Sequence, residues 1–239
     1  MPRTMLTDQH WLKLKSIVHN FGIYLKHNLR SFIEAILYRI RTGCPWRDLP
    51  ESFGKSNTIF KRFTRWSKDN KLLKIFKLLS KNADLEWVFI DASHIRAHQH
   101  ATGLKDQAIS RSIGGNSTKI HLAVDSNGNP IQFLVHDGTT HDVKVTPASD
   151  VFSADKGYDS KALREQIERT STKANIPKKS NTLSNNHYMD WHLYKIRHLV
   201  ENTFARIKQF RGIATRYDKL KQNYENSVAL ACIFLWLPL

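Results

Sequence analysis

Leu85-Glu86-Trp87-Val88-Phe89-Ile90-Asp91 is the stretch on which the reading of the fold turns. Ahead of it apolar residues recur at helical spacing; from it onward they come in short runs or strict alternation. A nearly continuous apolar run of this length reads as a buried central strand, and this one ends on a carboxylate. A second run, Val151-Phe152-Ser153-Ala154-Asp155, also ends on an aspartate. Between them, Lys119–Asp125 alternates Ile120, Leu122 and Val124 with Lys119, His121 and Asp125. Ser126-Asn127-Gly128-Asn129-Pro130 then turns the chain into Ile131–His136, making a hairpin. Further on, Asp159–Arg169 reads as a helix and Ala174–Pro177 as a short fifth strand at an edge. Residues 191–210 and 223–237 read as closing helices.

Strand, hairpin, crossover, strand, helix, strand, helices is the element order of a ribonuclease-H-like α/β domain with a mixed five-stranded sheet. In that fold the first and fourth strands lie side by side. Their terminal carboxylates, Asp91 and Asp155, then meet at one end of the sheet, where open α/β sheets place their sites.

Residues 7–80 read as all helical. Thr7-Asp8 caps a first helix bearing Trp11, Leu14, Ile17 and Val18. A second, near Ser31–Arg41, ends at Gly43, and a third starts at Ser56 or Asn57 as N-cap and runs to about Asp69. On that third helix Ile59, Phe63 and Trp66 share an arc, while Lys61, Arg65 and Lys68 lie opposite. With Arg62 they form a candidate DNA-binding set on a helix-turn-helix-like module. A merely solvated cationic face is the plainer alternative. The division expected is a small all-α domain over residues 1–82 and a catalytic domain over 83–239.

Charge supports a polyanionic partner. The chain carries a net charge of +16, and its first 80 residues hold 16 Lys and Arg against 5 Asp and Glu. Binding to nucleic acid with release of counterions is the function this balance favours. Cys44 and Cys232 are far apart and lack metal-binding spacing, which argues against a disulfide framework or structural zinc and fits a reducing cytoplasm. The start lacks the apolar core of a signal peptide. The apolar stretch Val228–Leu239 falls short of the ~20 residues a bilayer span needs, so it reads as a core helix, with no membrane partner.

Glu201 supplies a third acid. With Glu201 at zero on one continuous helix, Tyr194, Arg197 and Lys208 fall at about +20°, −40° and −20°, opposite Ile196, Leu199, Val200, Phe204 and Ile207. An Arg197–Glu201 surface ion pair is the bland explanation, but it leaves Tyr194 and Lys208 unaccounted for. Asp91, Asp155 and Glu201 together can act as metal ligands for two Mg²⁺ ions, with Mn²⁺ as a substitute, because hard divalent cations take carboxylate oxygens, water and substrate phosphate. Two such ions roughly 3.5–4 Å apart suit phosphoryl transfer on nucleic acid. Arg197 and Lys208 then bind phosphates or balance the carboxylates, and Tyr194 positions DNA. His94, His98 and His100 invite a zinc reading, but no third ligand is evident beyond the i, i+4 pair. Ser110-Arg111-Ser112 before Gly114-Gly115 reads as a mobile cationic connection.

Tyr194-x-x-Arg197-x-x-x-Glu201-x-x-x-x-x-x-Lys208 resembles the signature of the DDE transposases of bacterial insertion sequences. Asp155-Lys156-Gly157-Tyr158 is similar to their second-aspartate motif, and Phe89-Ile90-Asp91 with Ser93, Ile95, Ala97 and His98 to the first. Arg41–Pro50 with Phe53-Gly54-Lys55 resembles the N-terminal region of the insertion-sequence-five (IS4/IS5-like) group. The resemblance implies cleavage at terminal inverted repeats, transfer of the freed 3′ ends to target double-stranded DNA, a homodimer in a synaptic complex, and a nucleoid-associated place in a bacterial cytoplasm. Only about a dozen residues separate His141 from Asp155, short for a parallel crossover. The alternative is therefore a catalytically impaired remnant that binds DNA only.

Overall fold

Thr7 starts the first helix as expected, its hydroxyl accepting the His10 N–H at 3.1 Å. The computed structural model describes residues 3–22, 28–112, 114–137, 149–179 and 186–238. Four helices come first: α1 (Asp8–Asn20), α2 (Leu29–Thr42), α3 (Ser56–Lys68) and α4 (Lys71–Leu79). Gly43 closes α2 in the left-handed conformation that glycine adopts without a Cβ penalty, at φ 73°. Ser56 is the first residue of α3, not its cap. The preceding Lys55 holds the cap position without a side-chain bond.

The sheet elements then alternate with helices: β1 (Trp87–Ala97), β2 (Ser110–Ser112), β3 (Gly115–Val124), β4 (Pro130–Asp137), β5 (Val151–Ser153), α5 (Lys161–Glu168) and β6 (Lys173–Asn175). The chain closes with α6 (Trp191–Ile196), α7 (His198–Lys208), α8 (Arg211–Ala214), β7 (Thr215–Arg216) and α9 (Lys221–Trp236). Among the described residues β1 is central, antiparallel to β3 on one side and parallel to β5 on the other, with β6 at the edge beyond β5. The expected side-by-side placement of the first strand and the Val151 strand is therefore present.

The sheet differs from the expectation in three respects. Among the described residues it has seven strands, because Ser110–Ser112 pairs with β3 and Thr215–Arg216 pairs with the far end of β1. The first of these was expected to be a mobile connection; a three-residue polar strand has no apolar alternation to announce it. Most consequentially, β1 does not stop at Asp91 but continues six residues, to Ala97. Residues 92–96 are held by hydrogen bonding to β3, opposite 117–121, and Ala97 pairs with Arg216 of β7; their mixed polar sequence carries no strand signal. The segment 141–155, expected to be a short crossover, lies outside the described residues up to position 148.

Helix α9 ties the helical part to the sheet. It is buried on nearly every side from Asn223 to Trp236, as an all-round apolar helix must be. It packs on α4, α3 and β4, and Trp236 Nε1 donates to the Pro130 carbonyl at 2.8 Å. Phe76 of α4 meets Phe133 of β4 with ring centroids 5.7 Å apart, so one apolar core runs through both parts. No helix among the described residues is long and apolar enough to cross a membrane.

A buried ion pair adds a second tie. Arg39 of α2 meets Asp218, just after β7, at 3.1 Å, with side-chain exposures of 8% and 5%, and stacks on Trp46 at 4.2 Å. Arg216, fully buried, donates to Thr118 Oγ1 at 2.9 Å and to the Asp218 carbonyl at 3.0 Å. Removing one partner of such a pair strands a buried charge. Arg39→Met is expected to lower unfolding free energy by about 3–5 kcal/mol, measured by urea denaturation. A loss no larger than that of an exposed arginine would show that the pair does not join the two parts.

Candidate active site

The parallel pairing of β1 with β5 ends at Phe89 and Ser153. Asp91 and Asp155 each lie two residues beyond those partners, so both carboxylates leave the sheet at the same level. Asp91 is thus a mid-strand residue, opposite Leu122 of β3, and its position is set by where β5 stops, not by where β1 stops. Its Oδ1 accepts the Ala92 N–H at 2.8 Å. Burial pushes its carboxyl up; the Ala92 N–H and Arg197 oppose the rise, and the charge of Asp155 adds to it.

Asp155 is shaped by its own turn. Its Oδ1 accepts the Gly157 N–H at 2.9 Å and so caps the 3₁₀ turn Lys156–Tyr158. A Cβ at position 157 would sit 3.0 Å from that oxygen, which is why glycine fits there: the carboxylate folds directly under the turn. The turn delivers Tyr158 inward, where its hydroxyl meets His121 Nδ1 at 3.1 Å. Burial, then Asp91 and Asp155, push the phenol far up, so it stays protonated.

Glu201 comes from the first turn of α7, with its side chain 52% exposed, and accepts from Arg197 Nη2 at 2.5 Å. Arg197 Nη1 lies 3.2 Å from Asp91 Oδ2, so one guanidinium joins the strand-borne and helix-borne acids. Burial opposes its charge, but Asp91 and Glu201 outweigh that and raise its pKa. The expected single helix is broken at Arg197 into α6 and α7. The polar stripe survives the break: Tyr194 flanks the guanidinium at 5.8 Å, and Lys208 Nζ donates to Ser93 Oγ at 2.6 Å. Ser93 is two residues beyond Asp91, on the same face of β1.

Asp91 and Glu201 are therefore joined through Arg197, and Asp91 and Asp155 lie just beyond the last β1–β5 pair. Among the described residues no group of three or more His, Cys, Asp or Glu side chains is gathered so as to hold a metal ion, and Glu201 is held by Arg197. The donor chemistry fits a hard divalent cation: all-oxygen, acidic, and repulsive enough for Asp155 to raise Asp91. His98 is engaged elsewhere, accepting the His100 N–H at 3.3 Å and lying 4.9 Å ring-to-ring from Tyr217.

On α3, Lys61, Arg65 and Lys68 are exposed, as the helical arithmetic expects. Arg62 departs from that set. Its guanidinium stacks on Phe32 at 4.2 Å and donates to Asn28 Oδ1 at 3.0 Å, because its position falls between the cationic and apolar arcs. Lys61 and Arg65 line a groove of about 1060 Å³ that also takes in Lys55, Lys71 and Lys74. The residue that sequence reasoning missed at the acidic site is His121. Alternation placed it outward on its strand, whereas Tyr158 reaches it and leaves it 1% exposed. The aromatic residue of Asp155-Lys156-Gly157-Tyr158 was the one available hint.

Two families match along the chain. Residues 6–76 match the family described as a putative transposase of the IS4/5 family, and residues 83–236 match the transposase DDE domain. A putative transposase for insertion sequence element IS6501 from Brucella ovis is 35% identical over 131 residues, covering 51% of this chain and 98% of that protein. An uncharacterised protein, y4sN, from Sinorhizobium fredii is 34% identical over 125 residues, covering 51% of this chain and 95% of its own length. No solved structure matches.

His121 makes the site sensitive to pH. Burial, then the charges of Lys119, His136 and His94, hold its imidazole down to about 4, below the ordinary value near 6.5. Because the unfolded chain binds the proton more readily, His121 contributes stability that is complete above pH ~6.5 and lost as pH falls toward 4. The wild type is expected to lose more melting temperature between pH 7 and pH 5 than His121→Asn does. Parallel curves for the two proteins would contradict this assignment.

Proposed function

Because this chain belongs to the DDE transposases of the IS4/5 insertion sequences, we propose that Asp91, Asp155 and Glu201 are its metal-holding acids. On this reading they serve cleavage at the element's terminal inverted repeats and strand transfer to target DNA. The observation that carries the reading is the common level of Asp91 and Asp155 beyond the last β1–β5 pair, with Arg197 linking Glu201 to the same place.

Asp91 and Asp155 would hold divalent cations, Mg²⁺ or Mn²⁺ in its place, and Glu201 would complete a second position. A cation bound there supplies Lewis acidity at the attacking and leaving oxygens of a phosphodiester. The chain's own residues do the positioning. Gly157 and the turn it permits keep Asp155 aimed out of the sheet, and the buried Tyr158–His121 pair holds that turn from below. Lys208, anchored on Ser93 beside Asp91, presents its ammonium to a backbone phosphate. Tyr194, with the half-exposed Trp191 edge-on to it at 5.7 Å, borders the site on the side from which DNA would enter.

Residues 1–82 act in this reading as the DNA-gripping unit, through Lys61, Arg65 and Lys68, with Arg62 as part of the groove wall; residues 83–239 act as the catalytic unit. Such phosphate contacts drive binding that weakens as salt rises. Two chains, one for each end of the element, would meet in the synaptic complex. A nucleoid-associated place in a bacterial cytoplasm follows from that substrate.

The test is cleavage of a labelled duplex carrying the inverted repeats that flank the gene, in Mg²⁺, beside Glu201→Gln. The wild type is expected to cut at the repeat end, and the variant to bind the duplex as tightly without cutting. Binding without cutting by the wild type would make the chain a DNA-binding remnant. Equal cutting by both proteins would remove Glu201 from the site.

A further inference from the structure

Arg197 occupies the space through which the helix-borne acid would approach the strand-borne one. Its two terminal nitrogens face different carboxylates, Asp91 at 3.2 Å and Glu201 at 2.5 Å. The hold is uneven. Nη2 makes a hydrogen bond to Glu201, whereas Nη1 is buried without a well-directed hydrogen bond and meets Asp91 by charge. Glu201 itself is half exposed and can turn.

The α-helical hydrogen bonding is interrupted at the same residue. Arg197 N–H bonds the Tyr194 carbonyl at 3.2 Å and the Val200 N–H bonds the Arg197 carbonyl at 3.1 Å, both one residue tighter than an α-helix. A 3₁₀ stretch inside a helix often marks a hinge. So the residue that joins the acids also sits at the break between α6 and α7.

Resting on the function proposed above, we infer that Arg197 is the resident counter-ion of the metal-free site and that a divalent cation displaces it. Glu201 leaves the guanidinium for the entering ion, and the guanidinium, released on that side, becomes available to a DNA phosphate. Two physical points support an exchange over simple addition. A cation entering between Asp91 and Glu201 meets the like charge of Arg197, so the two compete for the same oxygens. The guanidinium fork bridges two carboxylates or binds one phosphate bidentately, and it is weakly hydrated, so changing partners suits it. Metal and DNA then favour each other's binding, because each takes one partner of the Arg197–Glu201 pair, and such coupling is reciprocal.

The experiment is calorimetric titration of Mn²⁺ into the full-length, DNA-free protein and its variants, with melting temperatures confirming the fold. Arg197→Gln is expected to bind Mn²⁺ about threefold to tenfold more tightly than wild type, the size of one partly exposed ion pair released. Arg197→Lys, which cannot bridge two carboxylates, should fall between them, and it decides the matter if the glutamine variant does not fold. Adding Glu201→Gln should erase the gain. A second arm adds a short duplex, which should tighten Mn²⁺ binding by wild type and not by Arg197→Gln. Equal or weaker Mn²⁺ binding by the arginine variants overturns the exchange; if Asp91→Asn still weakens binding, the proposed function stands. No Mn²⁺ bound by any of the proteins overturns both.

Discussion

Burial of the Asp91 carboxylate, with a second acid, Asp155, close by, is the constraint around which this site is built. Burial pushes the Asp91 carboxyl up, and the charge of Asp155, just beyond the end of the adjacent parallel strand, adds to that rise. Every neighbouring polar group answers it. The Ala92 and Gly157 N–H groups each take one oxygen, Arg197 brings a positive charge, and Lys208 stands on Ser93 close by. A protein with a net charge of +16 has cations to spare, yet within hydrogen-bonding reach it places only Arg197 on Asp91 among the described residues. On the function proposed above, a divalent ion would meet the remaining demand for positive charge.

The packing explains how such a site can stay ordered. Below the carboxylates lies the buried Tyr158–His121 contact, and on the far side β1 is clamped by β3 for the whole stretch Phe89–Arg96. Helix α7, which carries Glu201, packs on β1 and β3, and Thr203 Oγ1 donates to the Gly128 carbonyl at 2.6 Å. That bond fastens α7 to the β3–β4 turn. Glu201 therefore has freedom in its half-exposed side chain, while the helix that bears it is held. Through α9 and the Arg39–Asp218 pair the cationic helices α3 and α4 share one packed core with the sheet that carries the acids.

Much of this was legible in the amino-acid order. The switch from helical to strand periodicity at Leu85, the Asn-Gly hairpin and the two apolar runs ending in aspartate locate β1, β3, β4 and β5, and helical spacing places Tyr194, Arg197, Glu201 and Lys208 on one stripe. What stayed hidden depends on pairing at a distance. The continuation of β1 through Ser93-His94-Ile95-Arg96 exists because β3 is there to bond it, not because those residues prefer a strand. His121 reads as an outward residue until Tyr158 arrives from 37 positions away. Arg62 looks like its cationic neighbours until Phe32 and Asn28, brought by α2, claim its guanidinium. The break of the Glu201 helix at Arg197 is likewise a tertiary effect, since Arg197 reaches Asp91 from that bend.

The central claim is that these three acids converge on divalent ions. Anomalous scattering from Mn²⁺ soaked into crystals of the full chain locates those ions directly. Mn²⁺ is expected between Asp91 and Asp155, with Glu201 turned off Arg197 toward a second ion. Manganese bound elsewhere, or Glu201 still on Arg197 with both metal positions filled, would contradict it.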